Sequence, residues 1–107
     1  MPPFVLDLTF NAATREELAR HGLNFGDALD VLDGSPKFFP DKGGRFRRRR
    51  GLRPRWIMIG PGEDGGLLTF IVEAPDEQRV AHLVTGWRSS RGERSRYDQP
   101  GGRSNRP

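Results

Sequence analysis

The sequence predicts an α+β domain: a small antiparallel sheet, built from an N-terminal strand and a three- or four-strand meander, with an N-terminal helical hairpin and a short C-terminal helix. Three observations predict it. Two stretches with helix caps and helical apolar spacing follow one another within residues 14–34. From Trp56 to Thr85, apolar runs of strand length are separated by tight turns marked by glycine and proline, as in an antiparallel meander. The helices are grouped rather than alternating with strands, which separates α+β from α/β.

Each element has its own signal. Phe4, Leu6, Leu8 and Phe10 alternate with Val5, Asp7 and Thr9, the period of a strand with one buried face. Thr14 stands three residues before Glu17 in the pattern of a capping box, so a short helix follows, with Leu18 inward and an end at His21-Gly22. Asn24 is a second cap, and Ala28, Leu29, Val31 and Leu32 give that helix its apolar stripe before Gly34. Lys37-Phe38-Phe39 is a short strand, Asp41–Gly44 a turn, and Arg45–Arg50 a lead into the strand Trp56–Ile59. Leu67–Glu73 is the most apolar strand, and Gln78–Thr85 the next, with Val80, His82 and Val84 on one face. Ser90, with Glu93 in the first turn, caps a last helix reaching about Tyr97.

A chain of 107 residues has room for one domain, placed at residues 1–97, with a modest core. Apolar residues are only 34% of the chain and nine positions are proline, so residues 98–107 are expected to be a disordered tail. The absence of cysteine excludes disulfides and thiolate metal sites. No apolar stretch nears the ~20 residues of a membrane span, and Met1–Phe10 lacks the features of a signal peptide, so the expected compartment is the cytoplasm, with no membrane partner.

Several chemistries lack their residues. There is no glycine-rich phosphate loop ending in Lys-Ser or Lys-Thr. Two histidines without paired spacing give no zinc site, and there is no Gly-x-Ser-x-Gly elbow. No metal or cofactor is expected.

What the chain has is segregated charge. Residues 1–41 carry seven acids and three bases, and residues 42–60 eight bases and no acid. Residues 61–77 carry five acids and no base, and 78–107 seven bases and two acids. Sixteen of the eighteen cations are arginine. Such blocks point to a positive face that meets a polyanion. Arginine meets phosphate oxygens through a planar fork and stacks on bases, and an adjacent aromatic favours single-stranded RNA. Arg45, Arg47, Arg48, Arg49, Arg50 and Arg53, with Trp56, are therefore candidate RNA contacts. Arg55 opens a strand and should be held rigidly, which suits it to stabilise charge at one defined phosphate. His21 closes a helix whose negative end favours a protonated ring, making it a candidate proton donor. His82 lies mid-strand and reads as structural.

Arg20-His21-Gly22-Leu23-Asn24-Phe25, Ala28 with Val31-Leu32, Arg55-Trp56-Ile57-Met58-Ile59-Gly60 and Glu93-Arg94-Ser95-Arg96-Tyr97 stand in a telling order. In these segments the chain resembles the BrnT toxins, ribonucleases of bacterial type II toxin–antitoxin pairs with a fold related to RelE. The resemblance covers about residues 4–97. It departs where the family has Ile-Ser-Ala-Arg and this chain has Val84-Thr85-Gly86-Trp87, with Arg88 one place later. Either Arg88 takes over that arginine's place, or Trp87 turns the site toward base stacking. His82 falls where the family often has arginine, and Ala13 where it often has lysine.

The resemblance implies a RelE-like fold and a metal-independent endoribonuclease that inhibits growth by cleaving mRNA. The RNA's own 2′-hydroxyl attacks the adjacent phosphate, leaving a 2′,3′-cyclic phosphate and a 5′-hydroxyl. It assigns Arg55 and Arg88 to charge stabilisation, His21 to proton transfer, and Glu93 or Tyr97 to further acid–base work, with Trp87 among the RNA contacts. The implied partners are mRNA, free or on the ribosome, and a cognate antitoxin in a hetero-oligomer. Two other readings stand beside it: a non-catalytic RNA- or ribosome-binding module on the same scaffold, and an interaction protein whose basic loop docks an acidic partner.

Overall fold

A computed structural model describes residues 4–42, 44–99 and 103–104. The fold is α+β. Its elements are β1 (Asp7–Thr9), α1 (Ala12–Arg20), α2 (Phe25–Asp33), β2 (Lys37–Pro40), α3 (Gly44–Arg49), β3 (Arg55–Pro61), β4 (Leu67–Glu73), β5 (Val80–Arg88), α4 (Arg91–Asp98) and the two-residue β6 (Arg103–Ser104). The strands form one sheet in the order β1-β5-β4-β3-β2-β6. No helix among the described residues is long and apolar enough to cross a membrane.

The meander β2-β3-β4-β5 is antiparallel throughout, but β1 pairs parallel with β5, Leu8 opposite Ala81 and Thr9 opposite His82. The sheet is mixed, not antiparallel as the sequence led us to expect. Tight turns fix the direction only of the strands they join. β1 is separated from β5 by both helices of the hairpin and the whole meander, so no turn dictates its sense.

One face of the sheet carries the core. Leu8, Ala81, Leu83, Val72, Phe70, Leu68, Met58 and Phe38 lie buried together with Leu18, Leu23, Ala28, Val31 and Leu32 of the helical hairpin. Burying each of the leucine, valine, methionine and phenylalanine side chains among them stabilises by about 1.5–3 kcal/mol before entropy is counted. The opposite face is covered only in part, by α4, whose residues are none of them buried.

Local signals explain most element limits. Asn24 and Ser90 cap α2 and α4 in reciprocal boxes with Asp27 and Glu93. For α1 the cap is Asn11 rather than Thr14, because Asn11 and Thr14 themselves form the reciprocal box. Thr14 is thereby buried, and its hydroxyl donates to Leu83 O (2.9 Å), tying α1 to β5. The N-terminal strand is shorter than its alternation promised. Val5 and Leu8 are the buried residues, while Leu6 is 62% exposed. Leu6 N (2.8 Å) and Asp7 N (3.4 Å) both donate to Arg79 O, and that shared acceptor breaks the two-residue period.

Most of the tail expected at 98–107 lies outside the described residues; Asp98 ends α4, and Arg103–Ser104 pair with Phe38 and Lys37.

Candidate functional site

The arginine run is a helix, α3, not an extended lead into β3. Arginine is a good helix former, and the run ends in a Schellman turn. Gly51 N donates to Arg48 O (3.0 Å) and Leu52 N to Arg47 O (2.9 Å), with Gly51 at φ +72°, a conformation that glycine adopts without strain. Helical winding sorts the guanidinium groups. Arg47 turns inward: its Nη2 donates to Glu73 Oε2 (2.9 Å) and its Nε to Arg53 O (2.8 Å). Arg48 and Arg49 are exposed and have no partner among the described residues. Arg50 is exposed as well, and Arg53 reaches Pro75 O (3.3 Å). The expectation for Arg45 falls on a side chain outside the described set. Trp56 packs against the hydrophobic core, so it is not a partner for Arg55 on the other face.

The uncovered end of the sheet carries a row of polar side chains. Arg55 pairs with Glu73 across β3 and β4, and His82 pairs with Thr9 across β5 and β1. The register of β4 and β5 ends at Val72–Leu83, and the next residue on each strand, Glu73 and His82, lines the same recess. Directly opposed residues share a face, so Arg55, Glu73, His82 and Thr9 form one line across four strands. Thr9, Glu73 and His82 line a recess of about 140 Å³ with Arg53, Ala74, Asp76 and Val80. The Arg55 Nε is buried and has no hydrogen-bond partner. Sequence reasoning did not single out Glu73 and read His82 as structural, so it did not bring the two together. Their only signal is register, which a linear reading does not contain.

His21, Trp87, Glu93 and Tyr97 belong to the other end. His21 is the C-cap of α1, exposed, with its ring 6.2 Å from that of Trp87. Glu93 is committed to structure: Oε1 accepts from Ser90 N (2.8 Å), Trp87 Nε1 (3.0 Å) and Thr69 Oγ1 (3.2 Å). Thr69 Oγ1 in turn lies 2.8 Å from Ser89 Oγ. Tyr97 donates its hydroxyl to Ser35 O (2.6 Å), and the Lys37 ammonium stands 4.8 Å from its ring centre. Together with Arg96 over the Phe39 ring (4.5 Å), these contacts fasten α4 to the sheet. Arg88 lies on the helical side, in register with Leu68, and lines a recess with Asp27, Glu63 and Asp64.

Burial, and after it the neighbouring Asp98 carboxylate, raise the Tyr97 pKa above 10.0. A folded-state pKa above the unfolded one gives stability that is complete below pH 10 and lost as pH rises through the folded value. As the chain's only tyrosine, Tyr97 can be followed by tyrosinate absorbance. Its midpoint is expected above 10.0 in the native protein and near the ordinary value in denaturant; equal midpoints would contradict the packing of α4.

Five residues were expected to act together, and the structure distributes them. Four residues along a strand and two strand spacings separate the Arg55 and Trp87 positions, about 16 Å between Cα atoms. Arg88 is on the reverse face. Among the described residues no group of histidine and carboxylate side chains could hold a metal ion. Comparison with protein-family models and with curated sequences finds no match to this chain.

Proposed function

We propose that this chain is the toxin of a type II toxin–antitoxin pair, a cytoplasmic, metal-independent endoribonuclease of the BrnT kind on a RelE-like scaffold. The observation that carries the reading is Arg55. It opens β3 with a buried Nε that has no hydrogen-bond partner, and α3 nearby presents Arg48 and Arg49 to solvent. Burial of the Nε holds the guanidinium in place, and a rigid guanidinium favours charge that develops on a phosphate at a fixed position. The exposed arginines supply the salt-sensitive grip on neighbouring phosphates. The order β1, α1, α2, then β2 to β5 with α3 inserted after β2, then α4, is compatible with this reading. An antitoxin with an acidic surface would cover this same basic end, giving a hetero-oligomer.

Induced expression tests the reading. Growth arrest is expected, with mRNA fragments that end in a 2′,3′-cyclic phosphate and a 5′-hydroxyl, and Arg55→Ala should abolish both. Arrest without cleavage, with or without ribosomes, would leave a non-catalytic RNA- or ribosome-binding module. Failure to bind any RNA at ~100 mM salt, where phosphate contacts still operate, would leave an interaction protein with an acidic partner.

A further inference from the structure

We infer that Glu73 and His82 are the proton-moving pair of an RNA-cleaving centre, with Arg55 and Arg47 holding the scissile phosphate at the uncovered end of the sheet. The inference rests on the ribonuclease reading and gives it a place other than the His21–Trp87 end.

The row has what in-line transesterification requires. Glu73 Oε2 is occupied by Arg47, while Oε1 takes no hydrogen bond among the described residues and can accept a proton. Thr9 Oγ1 lies 3.4 Å from His82 Nδ1, which leaves Nε2 for substrate. Glu73 and His82 line the same recess, so a carboxylate and an imidazole can flank one phosphorus there. The other titratable groups here have tasks of their own. Asp76 Oδ1 accepts from Gln78 N (2.8 Å) and Val80 N (3.0 Å), and Arg53 is bonded to Pro75 O.

A purely structural ion pair would need Arg47 and Glu73 alone. It would not place a histidine in the same recess, nor leave the Arg55 Nε desolvated without a partner. At about 140 Å³ the recess is smaller than a drug-sized pocket of roughly 300–1,000 Å³, and it suits one backbone phosphate offered by an extended strand.

The step balances without any co-reactant. The ribose 2′-oxygen forms a bond to phosphorus as its proton passes to the Glu73 carboxylate. The bond from phosphorus to the 5′-oxygen breaks, and that oxygen takes a proton from the His82 imidazolium. The products are a 2′,3′-cyclic phosphate and a 5′-hydroxyl, with Glu73 protonated and His82 neutral until solvent restores both. Arg55 and Arg47 stabilise the added charge of the phosphorane.

The test uses the purified full chain and a short single-stranded RNA labelled for both anisotropy and cleavage. Glu73→Gln and His82→Gln are each expected to slow cleavage by about 100-fold or more while leaving the Kd within about threefold. Thermal melting checks folding. His82→Gln alone decides if Glu73→Gln is unfolded, since among the described residues the His82 ring makes only the long approach to Thr9. Wild-type cleavage by both folded variants would overturn this centre while keeping the ribonuclease, the more so if His21→Gln or Arg88→Gln carried the loss. RNA binding without any cleavage by the unaltered protein would overturn the centre and the ribonuclease reading together.

Discussion

Gly86→Ala is expected to lower the folding stability by about 3 kcal/mol, an effect set by space and not by backbone conformation. A Cβ at this position would lie 2.2 Å from Phe70 Cδ1, 2.6 Å from Cε1 and 3.0 Å from Thr69 O. Phe70 is fully buried at the centre of the core, between Met58 and Gly86 in the sheet register, so its ring has nowhere to retreat. The opposing gain from a less flexible unfolded chain is about 0.4–1 kcal/mol, and the clash wins. At about 4 °C per kcal/mol for a domain of this size, Tm should fall by roughly 12 °C. Phe70→Leu removes part of the ring, so the double variant should be more stable than the two single effects predict, by about 1–3 kcal/mol. Additive effects in thermal melts would show that the contact is not the cause.

How far the sequence could be read depends on how local each signal is. Caps and stops lie within a few residues of what they control, so α2 and α4 were legible from Asn24, Gly34, Ser90 and Glu93. β4 was legible because a run of apolar side chains buried on both faces needs no register to be recognised. The limits of β5 were not. A bulge between the pairs Ile71–Thr85 and Val72–Leu83 shifts the alternation at Val84, and the strand continues to Arg88, past the expected end at Thr85. Nothing at Val84 announces this, since a bulge is defined by the partner strand. The candidate site divides in the same way. Arg55 was found from its place at the head of a strand, whereas Glu73 and His82 become neighbours only when β4 and β5 pair. Glu93 and Tyr97 were legible as belonging to one helix. That their polar atoms are engaged by Trp87, Thr69 and Ser35 is tertiary information.

The arginine run was legible as charge but not as shape, and its shape decides the largest expected change in binding. Without apolar residues at helical spacing, the run offers no periodic signal; the one available clue was Gly51 as a helix stop. Wound as α3, the run separates Arg47, held by Glu73, from Arg48 and Arg49, which are exposed. Each exposed arginine that neutralises a phosphate of single-stranded RNA adds about 0.7 to the slope of log K against log salt. Arg48→Gln with Arg49→Gln should therefore reduce that slope by about 1.4 and weaken binding by about 25-fold at 0.1 M salt, with little difference extrapolated to 1 M. The helix itself should survive, because glutamine is nearly as good a helix former as arginine. Arg20→Gln is the matched comparison: Arg20 is as exposed but is paired with Glu17 on α1, and its loss should leave the slope unchanged. A double variant that keeps the slope of the unaltered protein would mean that α3 does not touch the RNA. The grip would then have to come from the other arginines of this end, Arg47, Arg50, Arg53 and Arg55.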